Sequence, residues 1–299
     1  MTTLLGVLLG FATAFSQCFA YIFSRMFVMQ HRNAFWKLLL VSHLYMGLVC
    51  LLGLPFLWTD TLPPLQDYLL PLTGAAGFYV AAQGGLFILM RLTNPSRVAP
   101  LLGTKIVILA VLATFLTNDP LTPMKWLAVA ACFGAVLVLN FSGKSLPPKA
   151  IVVLLLTCTG YSLSDINISR LVTALGSLPT LHAALWGALT SYVLLGIVAA
   201  AIAVTVRPQE LFSDWKLSLP FAALWLVAML TLFVCIGLVG PVFAIILQSS
   251  RGVMSVVLGV MLAKRGWVGI EPHVPRRVLL QRIAAAALMI GAVALYALA

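Results

Sequence analysis

Two cations stand inside runs that are otherwise apolar. Lys105 lies within LLGTKIVILAVLATF, in the stretch from Pro100 to Leu116, and Arg251 within PVFAIILQSSRGVMSVVLGVML, from Pro241 to Leu262. They are 146 residues apart in a chain of 299, so each holds nearly the same place in its half. A Lys or Arg at the centre of a membrane helix costs roughly 2.5–3.5 kcal/mol on insertion scales, and it faces a cavity or a partner as a rule. Lys105 is about eight residues into its run, roughly 12 Å of helix, too deep for easy snorkelling to the surface. Two such cations can hold an anionic or carboxylate-bearing ligand, Arg251 in bidentate fashion. The competing reading is a structural ion pair of either cation with Asp165.

Asp165 is the one acid of seven that falls within an apolar run; Asp60, Asp67, Asp119, Glu210, Asp214 and Glu271 fall in loops or at run ends. With Thr157 and Tyr161 it forms a stripe at i, i+4 and i+8 along one helical face. It could neutralise a cation in the empty state, bind a substrate ammonium or exchange a proton; a carboxylate at the membrane interface is the plainer alternative. Further polar groups recur at helical spacing: Gln17 with Tyr21, Tyr79 with Gln83, and Gln248, Ser249 and Ser250 just ahead of Arg251. Singly these are commonly helix-to-helix hydrogen bonds; as a set they can line a cavity. His43 and His182 lie near run ends, where packing or titration would both suit them. Trp186 and Trp225 read as packing or interface aromatics.

The elements that must position these groups follow from composition. The chain is 62% hydrophobic and 8% charged, with a mean hydropathy of +1.10, values that mark a membrane protein. About 20 apolar residues cross the hydrocarbon as a helix, whose backbone satisfies itself. Such runs occur at about 3–23, 37–58, 67–90, 97–117, 121–142, 149–169, 180–204, 216–238, 241–262 and 278–298. The first lacks a basic segment ahead of it and reads as a span rather than a cleaved signal peptide, although ATA at 12–14 is a weak cleavage-like triplet. The fold expected is therefore an all-α membrane protein of ten transmembrane helices, with the function in the bundle or its short loops.

Lys and Arg set the orientation. Fourteen fall in the loops after runs 1, 3, 5, 7 and 9 or at their helix ends, against Lys125 and Arg170 in the others. By the positive-inside rule the odd loops are cytoplasmic and both termini non-cytoplasmic. The net charge of +11 is thereby explained without a nucleic-acid partner. The basic loop AKRGWVGIEPHVPRRVLLQR at 263–282 can attract anionic membrane lipid, and reads first as a topology anchor. The halves also repeat: FSQCFAYIFSR at 15–25 parallels GYSLSDINISR at 160–170, and GAVLVLNFS at 134–142 parallels GAVALYALA at 291–299. Five helices per half is odd, so repeats 1–145 and 146–299 would be inverted, an arrangement that puts a transporter's binding site near the midplane.

Two five-helix repeats, short loops, and fourth and ninth spans that open on Pro100 and Pro241 and run through small residues resemble the drug/metabolite transporter superfamily, in its EamA-like branch. The resemblance covers essentially the whole chain, through loose motifs. It implies a basket-like bundle whose cavity is lined by spans 1, 3, 4, 6, 8 and 9, transport in the direction of export, and cytoplasmic termini, opposite to the charge count. Many relatives carry a Glu just after spans 4 and 9; here those places read LTNDPLTP, with Asp119, and LAKRGWVG, with no acid. Sugar-phosphate translocators of the same superfamily bind anions with basic residues in comparable helices.

Other classes find little support in the residues. There is no HExxH, GxSxG or pair of membrane carboxylates for an embedded enzyme. SGKS at 142–145 lacks a Walker motif's first glycine, position 138 being Val, so ATP is not the expected energy source. Cys18, Cys50, Cys132, Cys158 and Cys235 sit in apolar runs without metal spacing, and no cofactor is expected. The reading is a secondary transporter of the inner or plasma membrane, with a small anionic or zwitterionic metabolite, amino-acid-like or carboxylate-rich, as substrate. That substrate would sit among Lys105, Arg251, Asp165, Tyr161, Tyr79, Gln83, Gln17, Gln248, Ser250 and His43, with proton coupling open through Asp165. Exchange of phosphorylated metabolites and flipping of an anionic lipid are the alternatives within transport, and an embedded enzyme the alternative outside it.

Overall fold

The structure, a computed structural model, describes residues 2–30, 35–92, 102–116, 121–140, 147–206, 215–252, 254, 257–258, 261 and 276–299. The described residues form ten α-helices: α1 Thr2–Gln30, α2 Phe35–Gly53, α3 Leu65–Leu92, α4 Lys105–Leu116, α5 Pro123–Asn140, α6 Pro148–Ala174, α7 Thr180–Ala203, α8 Trp215–Val239, α9 Pro241–Ser249 and α10 Arg276–Leu298. Two 3₁₀ segments, Leu54–Leu57 and Leu102–Thr104, adjoin α2 and α4. Prolines open α5, α6 and α9, where the ring supplies a helical φ and the missing N–H has no partner to lose. Pro71 and Pro220 lie early in α3 and α8.

Five stretches are long and apolar enough to cross a bilayer: Thr2–Ser24, Trp36–Leu57, Pro148–Ala174, Thr180–Ala203 and Ser218–Val239. Leu102–Leu116, Pro123–Val138 and Ala287–Leu298 are shorter apolar helices. The helices assemble into two compact units that do not follow the order of the sequence. One comprises Met1–Ala76 and Asn167–Leu238, the other Gly77–Ile166 and Val239–Ala299. The boundaries fall inside α3 and α6 and at the end of α8.

In the first unit α2 packs along α7. Their backbones meet at glycines: a Cβ on Gly47 would lie 2.6 Å from Gly196 Cα, and one on Gly196 2.7 Å from Gly47 Cα. Lipid tails are as apolar as leucine, so membrane helices associate through close packing of such small residues rather than through water exclusion. Leu40, Val41 and Ala199 are buried beside this crossing. Helices α1 and α8 are joined by the Thr13 and Thr231 hydroxyls, 2.8 Å apart. At one end of the unit the Ser177 hydroxyl donates to Thr61 O at 3.1 Å, and His182 Nε2 donates to Leu57 O at 2.6 Å.

The second unit is built round α5 packed on α10, with α3, α4, α6 and α9 contributing to its core. Phe243 of α9 stacks on Tyr296 of α10, ring centroids 5.0 Å apart, and Lys125 Nζ lies 5.6 Å from the Tyr296 ring centroid. Leu86, Leu89, Leu102, Ala150, Leu154 and Cys158 form a buried cluster where α3, α6 and the 3₁₀ turn meet. Gly103 in that turn touches Val136 so closely that no Cβ would fit. Between α8 and α9 the chain turns at Gly240, with φ 79° and ψ 163°, a conformation open in practice to glycine alone.

Candidate functional site

Lys105 and Asp165 meet in the second unit. Lys105 is the first residue of α4, held by the 3₁₀ turn Leu102–Thr104 that precedes it, and Asp165 projects from α6. Lys105 Nζ lies 2.6 Å from Asp165 Oδ2, with the residues only 6% and 4% exposed, so the pair is closed from solvent. The alternative role for Lys105, an ion pair with Asp165, is thus present in the structure. Asp165 is also deeper than a place near a helix end would allow. Helix α6 continues past the apolar run to Ala174, which leaves nine residues, about 13 Å of helix, beyond Asp165.

Neighbouring groups order the pair. Lys105 Nζ is 5.5 Å from the centroid of the Tyr161 ring, close enough for a cation–π attraction. Tyr161 and Asp165, one helical turn apart on α6, therefore serve the same ammonium. The Tyr161 ring packs on Tyr79 of α3 at 6.3 Å, and Gln83 Nε2 donates to the Tyr79 hydroxyl at 2.9 Å. Below the ammonium, the Ser162 hydroxyl reaches Cys158 O at 2.8 Å and Lys105 O at 3.4 Å, tying the start of α4 to α6. The third member of the stripe, Thr157, faces α3 instead, its hydroxyl against Gly85 where a Cβ would overlap it. That hydroxyl is buried without a hydrogen-bond partner.

Arg251 approaches the pair from the far half of the sequence. It is half-buried and lies within electrostatic reach of both Lys105 and Asp165. As Lys105 follows a 3₁₀ turn, Arg251 follows a local tightening of its helix. The regular i to i+4 pattern of α9 stops at Ser249, and Ser250 N–H turns back to Leu247 O at 3.1 Å before helical geometry resumes at Arg251. The hydroxyls of Ser249 and Ser250 contribute, donating to Ile245 O and Leu247 O, each at 2.7 Å. Serine back-bonding of this kind competes with the helix ladder and bends it. Each cation thus stands just after a turn with i to i+3 geometry.

The remaining residues of the expected cavity divide between the units. Gln248 is buried in α9 of the second unit, whereas Gln17 in α1 and His43 in α2 belong to the first. Gln17 is 1% exposed. The His43 ring stacks on Tyr192 at 6.2 Å, and its Nδ1 donates to Leu39 O at 2.8 Å, which leaves Nε2 as the proton-accepting nitrogen of the neutral ring. Trp186 and Trp225 pack within the first unit, against Trp58 and Phe221. The five cysteines are free and buried. Among the described residues no three His, Cys, Asp or Glu side chains gather as a metal site would require. Asp119, the SGKS segment at 142–145 and the basic loop between 263 and 275 lie outside the described residues.

Lys105 and Arg251 supply two positive charges and Asp165 one negative, so the cluster is formally +1. Asp165 is also the only acid among the described residues of its unit. Cys158 was read from the sequence as a residue of an apolar run without metal spacing, and Ser162 was not singled out. Their spacing on the Tyr161–Asp165 helix, next to the face that meets Lys105, is the signal that marks them.

Comparison with known proteins agrees with this architecture. Residues 4–141 match the model of the EamA-like transporter family, a segment that covers α1 to α5. Twenty-nine chains of solved structures match the fold. One is a crystal structure 15% identical in sequence, covering 96% of this chain and 96% of its own, with a TM-score of 0.66. No curated protein matches the sequence. The match over residues 4–141 is consistent with the drug/metabolite transporter superfamily, and with five helices long and apolar enough to cross a membrane the chain is a multi-pass membrane protein.

Proposed function

We propose that this transporter is a secondary carrier that exports a small anionic or zwitterionic metabolite, amino-acid-like or carboxylate-rich, by alternating access. The observation that carries the reading is the buried Lys105–Asp165 pair with Arg251 in electrostatic reach. Holding helices together needs no excess charge, because small-residue packing and neutral hydrogen bonds do that work in this chain at Gly47 and Thr13. Placing two cations on one carboxylate inside a membrane protein is costly, and intramembrane charges of this kind mark ligand or ion sites. A substrate carboxylate would bind Lys105 and Arg251, and an ammonium, where the substrate has one, would meet Asp165. Tyr79, Gln83 and Tyr161 would shape the same site. Among the chain's partners, this reading needs the small-molecule substrate and the membrane lipid around it, and no nucleic acid.

Alternating access would come from two inverted repeats, 1–145 and 146–299, in the inner or plasma membrane with both termini non-cytoplasmic. The pairings of α2 with α7 and of α5 with α10, each five helices apart, support the repeat. So does the matched placement of Lys105 and Arg251, each just after a turn with i to i+3 geometry.

The test is a thermal-shift screen of the purified protein against amino acids, dicarboxylates, sugar phosphates and hydrophobic cations, with Arg251→Ala beside it. A ligand at about a hundred times its Kd adds ~2.7 kcal/mol to the stability of the state that binds it. Carboxylates or phosphates should stabilise the native protein, and Arg251→Ala, folded in the membrane, should lose the effect together with transport. Stabilisation by hydrophobic cations alone, retained in Arg251→Ala, would overturn the reading.

A further inference from the structure

The anion site proposed above contains its own anion. Asp165 sits on Lys105 at 2.6 Å, both side chains are closed from water, and Arg251 adds a second positive charge within reach of both. No other carboxylate occurs among the described residues of that unit. Charges buried this far from solvent are not screened by salt, and an uncompensated one costs several kcal/mol. The loaded site must therefore come close to electrical balance from within its own residues and its ligand.

We infer that Asp165 limits this site to substrates with a net charge of minus one, rejecting both neutral and doubly charged relatives. The inference rests on the anion-binding reading and narrows it: of the substrates proposed above, net-neutral zwitterions, dicarboxylates and doubly ionised phosphates fall outside the limit. With Lys105 and Arg251 positive and Asp165 negative, one further negative charge brings the cluster to zero. A neutral ligand leaves it at plus one and a dianion brings it to minus one. The rule is about net charge and not about the count of ionised groups. A monocarboxylate satisfies it, and so does an amino acid with a second carboxylate, whose ammonium has Asp165 to meet it. A doubly ionised phosphate ester does not. Asp165 is in this sense a specificity-determining residue that occupies one of two cationic places permanently.

The other groups around the pair fit this role. Tyr161, Tyr79 and Gln83 are neutral polar groups that can follow a ligand's oxygens without changing the charge count. The Cys158 thiol bonds to the Lys105 backbone, and Ser162 anchors the same backbone without charge. Among the described residues, the titratable and charged groups around the Lys105–Asp165 pair are therefore Arg251 beyond α9, Cys158 and Tyr161 from α6 and, behind Tyr161, Tyr79 from α3.

The experiment compares two ligands of one size and different charge, succinate and succinamate, at pH 7.5 on the full-length protein in detergent. Succinate is a dianion and succinamate a monoanion under these conditions. Native protein should bind succinamate more tightly by about tenfold or more, the factor that ~1.4 kcal/mol of imbalance produces. Asp165→Asn leaves two cations without the built-in carboxylate and should shift the preference toward succinate by at least the same factor. Asp165→Glu keeps the charge and should keep the native order, a check that does not depend on the asparagine variant folding. Tighter binding of succinate by the native protein, or one preference shared by native and Asp165→Asn, would overturn the charge limit while leaving the anion site standing. Failure of both probes to bind the native protein would remove the anion site and the limit with it.

Discussion

Replacing Lys105 with Met, Asp165 with Leu, and both together measures what the buried pair contributes. Two unit charges 2.6 Å apart attract by about 6 kcal/mol at an effective dielectric constant near 20. Most of that gain is cancelled by the cost of taking both ions out of water. Losing one partner leaves the desolvation cost of the other without its compensation, which destabilises by about 3–5 kcal/mol. Exposures of 6% and 4% leave neither group a route to solvent, so the upper part of that range applies. The double apolar variant removes both costs together and should return to within about 1 kcal/mol of the native protein. Heating detergent-purified protein and following the folded fraction by size exclusion reads all four proteins on one scale. Both single variants should melt well below the native chain, and the double variant should recover most of the loss while failing to transport. If Lys105→Met alone melts like the native protein, the pair is not a closed buried ion pair and the electrostatic reasoning above fails.

Two further outcomes are expected. Gly47→Ala should destabilise by about 1–3 kcal/mol, because its Cβ meets Gly196 backbone that cannot rotate away, whereas Gly77→Ala, with nothing within 4 Å of its Cβ, should be neutral or stabilising; equal melting of the two would refute the backbone crossing of α2 and α7. Reporter fusions at the C-terminus should signal a non-cytoplasmic location, and a cytoplasmic signal would reverse the orientation read from the basic loops.

The parts of the site that could be read from the sequence were its charges. Lys105, Arg251 and Asp165 stand out because apolar runs rarely hold them, and the stripe of Tyr161 and Asp165 follows from the helical period alone. Which cation Asp165 would meet was left open. Sixty residues separate Lys105 from Asp165, and the spacing along each helix does not carry the crossing of α4 and α6. The length of helix beyond Asp165 was hidden because hydropathy falls at Ser169 and Arg170, while the helix itself runs on to Ala174 with polar side chains. The turns before Lys105 and Arg251 were hidden because a short 3₁₀ turn barely disturbs the apolar pattern, though Gly103-Thr104 and Ser249-Ser250 mark both places. The ten helices fall on the ten apolar runs. Their grouping into units, by contrast, depends on pairings such as α2 with α7 that no local pattern encodes.

That grouping bears on how the chain is made. A protein synthesised from its N-terminus presents α2 about 150 residues before α7, the helix whose glycine receives it. Neither compact unit can close on the first half alone, since each draws residues from beyond 147. Early helices must therefore wait in the bilayer with their packing faces covered by lipid or by an insertion factor, and domain-by-domain folding during synthesis is not open to them. Helix insertion and unit assembly are separated in time here, and the exposed interval is longest for α1 and α2. Substitutions at Gly47 or Thr13 would then act twice, once on the finished protein and once on the yield of chains that reach it.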